Sequence, residues 1–418
     1  MKTKTDTLVI GGGAIGICAA YYLWSNGISV RVIERAEIGS GCSLHNAGFV
    51  SPSHFIPLAS PGVMAKGLKW LFQAESPFYI KPRFDLELFS WLWRFFAACS
   101  EKHMRRAMPV LRDLSLGSVG LFKELSTVEG IEFAFQNRGL FMLYNSEKGK
   151  KENLEMAQLA HELGVEARAL TAGQINDLEP ELHTCARGGV YYPQDSHLNP
   201  SLFLQSVGTY LARRGVDIHT GTEVVGFEHS GKKITGLKTS RGEFRADEVI
   251  LAAGSWSPQI IRLLKLSLPI QPAKGYSVTV QRPARKLLIP SILTEAKVAI
   301  TPIGDSLRFA GTLELAGLDL SVNMRRVNAI LRAVPNYIPN IAPGTVERGE
   351  VWAGLRPCSP DGLPYIGRLK AFDNLIAATG HAMLGISLAP ITGKLISDLV
   401  LSKTPSIDLS ALRVDRFR

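Results

Sequence analysis

The chain has 418 residues, 46% hydrophobic and 20% charged, and its 47 lysines and arginines against 37 acids give a formal net charge of +10. That length buries a large core and divides readily into two units, and the lack of any run of about eighteen apolar residues argues against a membrane-spanning helix. Cys18, Cys42, Cys99, Cys185 and Cys358 form no CxxC pair, so neither a disulfide framework nor a metal site is expected, and a start without a signal-type apolar region points to a reducing, cytoplasmic compartment.

Leu8-Val9-Ile10 reads as a buried parallel strand running into Gly11-Gly12-Gly13-Ala14-Ile15-Gly16, after which apolar residues recur at helical spacing. Gly11 permits a tight turn, Gly13 lets a pyrophosphate approach the backbone, and Gly16 lets the helix pack against the strand. The first helical amides, at Ala14 and Ile15, then face the phosphates. A second strand, residues 30–33, ends in Glu34-Arg35, where the carboxylate can accept from a ribose hydroxyl pair and would repel a 2′-phosphate.

Residues 64–112 interleave Trp70, Phe72, Phe89, Trp91, Trp93 and Phe96 with Lys66, Lys69, Arg94, Arg105 and Arg106. This suits either an interfacial contact with an anionic leaflet or a helix whose apolar stripe is core. Nucleic acid is a poorer partner for the positive charge, because no binding motif accompanies it. Helices are expected over 151–163, 170–179 and 201–214, and a strand pair turns at 230–233. Strand 222–227 brings Val224 towards an adenine edge, and strand 248–251 ends in the small residues before Ala253, Gly254 and Trp256. Further strands are expected at 276–280 and 307–311, with a helix around 322–334. Finally strand 374–379 reaches Gly380 and leads into a helix opening at Gly385, Ile386 and Ser387, whose amides can face the O2 and N1 edge of a flavin. This second set of segments makes FAD, rather than NAD, the expected cofactor.

In this order the segments resemble the glutathione-reductase-like FAD fold of the D-amino-acid-oxidase family, and most of all bacterial D-amino acid dehydrogenases with their glycine-oxidase and sarcosine-oxidase relatives. The resemblance spans nearly the whole chain and rests on the glycine turn, on the stretch 39–48 followed by Ser51-Pro52, on Pro272-Ala273-Lys274-Gly275-Tyr276-Ser277, and on the proline- and glycine-stiffened stretch 354–367. It implies an α/β (α+β) two-domain architecture: a Rossmann FAD-binding domain from 1–60, 151–263 and 350–418, and a discontinuous mixed-sheet substrate domain from 61–150 and 264–349. It places Ser43, His45, Asn46, Ala47, Gly48 and Gly354 against the cofactor, Arg356 on a substrate carboxylate, and Tyr276 either in the pocket or in the core.

The implied reaction is dehydrogenation of an amino acid, a D-amino acid or a proline- or hydroxyproline-like amine, by hydride transfer from the α-carbon to flavin N5. The resulting imine gives a 2-oxo acid, and the electrons pass to a quinone or other acceptor, a dye in the assay. An oxygen-using glycine- or sarcosine-type amine oxidase, a flavin subunit of a larger dehydrogenase and a 2-hydroxy acid oxidoreductase stand as alternatives on the same fold. His45 is similar to the histidine that carries flavin covalently in sarcosine and dimethylglycine dehydrogenases, and a covalent link and a polar contact are both open. Met383 replaces the second arginine of glycine oxidases, pointing to a more apolar pocket. The localisation expected is cytoplasmic, with peripheral contact at the inner face of the membrane through 64–112.

Overall fold

A computed structural model of the protein describes residues 4–63, 78–283, 287–339, 341 and 349–417. Two large sheets carry the chain. The first, of eight strands, runs Val224–Ser230, Lys233–Thr239, Gly242–Leu251, Lys4–Ile10, Val30–Ile33 and Asp217–His219, and Leu375–Thr379 and Tyr365–Arg368 extend it from Gly242–Leu251. At its centre Lys4–Ile10 is parallel to both neighbours, Val9 lying level with Val32 and Ile250. A central parallel strand is covered on both faces. Accordingly Leu8 and Val9 are both fully buried, in different clusters: Val9 packs with Ile17 and Leu23 of helix Ala14–Ser25, and Leu8 with Val224 and Leu251.

Helix Ala14–Ser25 lies against helix Ala389–Val400, where a Cβ on Gly393 would come within 2.6 Å of the Cys18 carbonyl, so the helices touch backbone to backbone. The second helix begins at Ala389 rather than Gly385, because a short turn over Ala382–Leu384 precedes it and Pro390 suits its first turn. Gly385, Ile386 and Ser387 form the approach to that helix.

The second sheet, of nine strands, runs Glu350–Cys358, Gln271–Gln281, Ser306–Leu315, Val298–Ile303, Ser291–Leu293, Leu140–Tyr144, Gly188–Tyr192 and Arg168–Thr171, with Phe78–Ile80 beside Ser306–Leu315. Its membership differs from the expected domain limits. Strands Arg168–Thr171 and Gly188–Tyr192 join this sheet, not the nucleotide-binding one, through antiparallel pairing with each other and with Leu140–Tyr144. Strand Glu350–Cys358 likewise pairs along its whole length with Gln271–Gln281. Both choices are made by strand partners far away in sequence, which a run of apolar residues does not announce.

Residues 64–77 of the aromatic and basic stretch lie outside the described residues. The remainder forms strand Phe78–Ile80, the start of helix Glu101–Leu125 and, between them, helix Leu86–Ala98, capped by Asp85, whose side chain accepts from Leu88 N. One face is core: Leu88, Trp91 and Phe95 are buried, Trp91 stacks on Phe95 at 5.0 Å and donates Nε1–H to the Cys358 carbonyl at 2.9 Å. The other face keeps Leu86, Phe89, Trp93 and Phe96 exposed, Trp93 at 72%. No helix among the described residues is long and apolar enough to cross a membrane.

Candidate active site

Between the two sheets lies a cavity of about 1040 Å³. At one end the glycine turn forms its wall. Gly11 adopts a φ of +112°, a Cβ there would stand 2.5 Å from the Ala252 carbonyl oxygen, and one on Gly16 would overlap the Gly11 carbonyl. The helix that follows starts at Gly13 without a side-chain cap, and Ala14 N donates to Ser43 Oγ at 3.1 Å. Glu34 sits across the turn, accepting from Gly12 N at 2.6 Å and Ala36 N at 2.9 Å. The Arg35 guanidinium covers the Trp256 ring at 4.1 Å. A Cβ-free cradle, uncapped helix amides and a carboxylate one strand away fit a dinucleotide.

Of the residues expected at the cofactor, all but Gly16 and Gly380 line this one cavity. Gly16 serves helix packing, and Gly380, at φ +79°, turns the chain beside Tyr365. His45 lies at the cavity with its ring 5.4 Å from Trp352, and burial followed by the charge of Arg308 pushes its pKa down. Arg308 itself is buried with no carboxylate in ion-pair range among the described residues. It donates Nη1–H to the carbonyls of Asn46 (2.9 Å) and Leu44 (3.4 Å) and Nε–H to Thr279 Oγ1 (3.0 Å), and burial pushes its pKa down to about 10. The loop 44–46 is thus clasped from the nine-stranded sheet, and Ser277 Oγ adds a bond to the His45 carbonyl at 2.9 Å. His381 beneath the cavity is buried, bonded to Thr392 Oγ1 at 3.0 Å, and burial pushes it down to about 3.

Arg356 projects from strand Glu350–Cys358 over its neighbour. Gly354 and Gly275 are register partners on adjacent strands, and a Cβ on Gly275 would overlap the Arg356 guanidinium while one on Gly354 would overlap the Trp352 ring. The paired glycines open a depression that these two side chains fill. Arg356 donates Nη1–H to the Thr312 carbonyl at 2.9 Å, borders the cavity, and has no acid in ion-pair range among the described residues. Burial lowers its pKa, with Cys358 and Cys42 close by.

Of the two placements open to Tyr276, its ring takes the core, although the residue borders the cavity. Side chains alternate along a strand, so Tyr276 points to the face opposite Gly275, where it is 1% exposed in a core with Val278 and Ile330. Its hydroxyl accepts from Asn323 N at 3.3 Å beside Glu314, within the buried Lys274, Glu314 and Arg326 cluster. Trp352, Thr312, Arg308 and His54 complete the surroundings without having been singled out from sequence. Only His54 carried a signal, lying just past Ser51-Pro52. Among the described residues there is no cluster of three metal-ligating side chains.

Residues 6–399 match the family model for FAD dependent oxidoreductases. The chain belongs to that family. It is 35% identical over 417 residues, 97% of this chain and 98% of its relative, to a D-amino acid dehydrogenase of Methylobacterium nodulans. Its structure resembles a glycine oxidase from Geobacillus kaustophilus with a TM-score of 0.78 at 25% identity, covering 99% of both chains. It also resembles an L-proline dehydrogenase from P. horikoshii, with a TM-score of 0.75 at 21% identity, covering 100% of this chain and 98% of that one. The protein is therefore an FAD-dependent enzyme on the fold expected from its sequence, and the glycine cradle with Glu34 is where this chain would hold the nucleotide.

Proposed function

We propose that this flavoenzyme dehydrogenates an amino acid at its α-carbon, taking D-amino acids or proline- and hydroxyproline-like amines and passing the electrons to a quinone-type acceptor. The observation that carries the reading is Arg356, a guanidinium on the cavity wall with one backbone partner and no acid. A half-buried cation in that state is suited to a carboxylate ligand, which a planar fork grips by two parallel hydrogen bonds. Bound FAD supplies a two-electron acceptor for the α-hydrogen. The chain's own part is to fix the carboxylate at Arg356, to keep water from the cavity with its apolar lining, and to hold His45 neutral beside Trp352 as a polar contact for the cofactor. Relatives named D-amino acid dehydrogenase support the substrate class.

The exposed aromatic face of helix Leu86–Ala98 supports a further element of the same reading, contact with an anionic bilayer that holds the acceptor. Trp93 and Phe96 stand in solvent next to Arg94, and Lys102, Arg105 and Arg106 follow in helix Glu101–Leu125, a combination that suits lipid phosphate and the headgroup boundary together.

The deciding experiment is anaerobic reduction of the purified holoenzyme, followed at the flavin band and in a dye-coupled assay, with D- and L-amino acids, prolines, hydroxyprolines, sarcosine, glycine and 2-hydroxy acids. Reduction by amino acids and not by their carboxamides is expected. Reduction by hydroxy acids alone would overturn the reading.

A further inference from the structure

Away from Arg356 the cavity runs on towards strands Ser291–Leu293 and Leu140–Tyr144, and there its walls turn apolar, with Phe49, Ile56, Met142, Met156 and Ile292. Two polar side chains in this part, Asn153 and Thr294, bond each other at 3.1 Å, and Asn153 also donates to the Gly149 carbonyl at 2.8 Å. His54 is different. Its Nδ1 stands 3.2 Å from Ser53 Oγ, and Ser53 in turn gives both its hydroxyl, at 2.6 Å, and its backbone N–H, at 3.0 Å, to the carboxylate of Asp195, which is fully buried 142 positions along the chain.

The order of these bonds fixes a proton. Above about pH 7, the value to which burial raises Asp195, its carboxylate is ionised and has no proton to offer, so the Ser53 hydroxyl hydrogen belongs to Asp195 and the free lone pair of Oγ faces the imidazole. Nδ1 must then carry the ring's hydrogen. A neutral imidazole has only one, which leaves Nε2 as a bare acceptor. No described residue bonds Nε2, and the ring borders the cavity. Burial keeps the ring neutral, its pKa pushed down to about 4.

We propose that His54 Nε2 accepts a hydrogen bond from a hydroxyl group carried by the amino acid substrate at a distance from its carboxylate, and that His54 is thereby the specificity-determining residue of the site. The proposal rests on the amino acid reading above, with Arg356 holding one end of the substrate and His54 the other. A site built to bond a substrate hydroxyl discriminates against the analogue that lacks it, because the acceptor is then left buried and unpaired. The surrounding methionines and phenylalanine supply contact area to the carbon skeleton and no competing donor.

The test compares kcat/KM of the holoenzyme for matched pairs, hydroxyproline with proline and homoserine with 2-aminobutyrate, in both enantiomers, at a pH above the value of about 7 to which burial raises Asp195. The wild type is expected to favour the hydroxylated member of at least one pair by about tenfold or more, the size of one hydrogen bond left unmade. His54→Leu should bring that ratio close to one while the deoxy member keeps its rate within about twofold. Ser53→Ala frees the ring to take either tautomer and should lower the ratio by part of that amount. Flavin content and melting temperature monitor folding of both variants, and the wild-type ratio with Ser53→Ala decides the matter if His54→Leu does not fold. Equal wild-type rates within both pairs, or a fall of both members together in His54→Leu, would overturn the proposal. Failure of every amino acid to reduce the flavin would instead remove the carboxylate reading on which it stands.

Discussion

Two arginines meet the stretch 354–367, and their surroundings differ: one borders the cavity with donors to spare, the other is engaged on every side by protein. Arg416, near the C-terminus, closes on Asp361 through Nε at 2.7 Å and Nη2 at 2.9 Å, gives its remaining hydrogens to the carbonyls of Leu363, Pro364, Leu412 and Arg413, and lies 4.0 Å over the Tyr365 ring. Arg356 has one carbonyl and a cavity. A guanidinium whose donors are all engaged by protein is complete as it stands; one with donors left over on a concave apolar wall is completed by what binds there.

The sharpest way to break this comparison is to remove each cation in turn. Arg416→Ala leaves the buried Asp361 carboxylate without its counter-charge, with only the Leu363 N–H still bonded to it, and is expected to cost about 3–5 kcal/mol of stability in denaturant unfolding, with kcat/KM little changed at a temperature where the variant is folded. Arg356→Ala should do the reverse: kcat/KM falls by about 2–4 kcal/mol worth of stabilisation at unchanged flavin content, and Arg356→Lys recovers only part. If both substitutions lowered the melting temperature equally and left rates alone, the contrast would be lost.

A smaller effect is expected at the nucleotide end. Glu34→Ala removes an acceptor for the ribose and for Gly12 N, so dialysis against buffer should strip FAD more readily, with a dissociation constant weakened by about tenfold. The pH dependence of stability is a separate readout, on which opposing groups partly cancel. His54, His197 and His381 are held neutral by burial, at about 4, about 4 and about 3 against an ordinary 6.5. The unfolded chain takes up those protons first, so nothing is lost above about pH 6.5 and stability falls progressively below it. Asp195, raised to about 7 by burial, acts in the opposite sense, favouring the folded state as its carboxyl protonates. Three groups against one leave a net fall, and calorimetry from about pH 7 to about pH 5 should show a declining melting temperature; a rising one would count against buried neutral histidines.

The local features of this molecule were legible in the chain. The glycine turn and Glu34 at the end of the second strand lie within one short stretch of chain, whereas Arg356 sits on strand Glu350–Cys358 rather than in a loop, and its seat over Gly275 depends on a distant strand partner. Tyr276 stayed open between pocket and core, because strand Gln271–Gln281 is buried on both faces over nearly its whole length, and the alternation of Tyr276, Val278 and Val280 with Ser277 and Thr279 separates two faces without saying which one borders a cavity. The membership of Arg168–Thr171 and Gly188–Tyr192 depended on pairing with a distant strand, and the link from His54 to Asp195 spans more than a third of the chain. In helix Leu86–Ala98 the core stripe read from the sequence is present in Leu88, Trp91 and Phe95, while the opposite face stands in solvent.

The depression made by Gly275 and Gly354 bears on how such an enzyme can change over generations. The seat of Arg356 depends on two missing methyl groups as much as on the cation itself, so a single alanine at 275 would displace the guanidinium without touching the arginine codon, and with it the carboxylate recognition proposed above. Positions 275, 354 and 356 should therefore drift together or not at all among descendants of this chain, and a lineage that abandoned acidic substrates would be free to fill the hole.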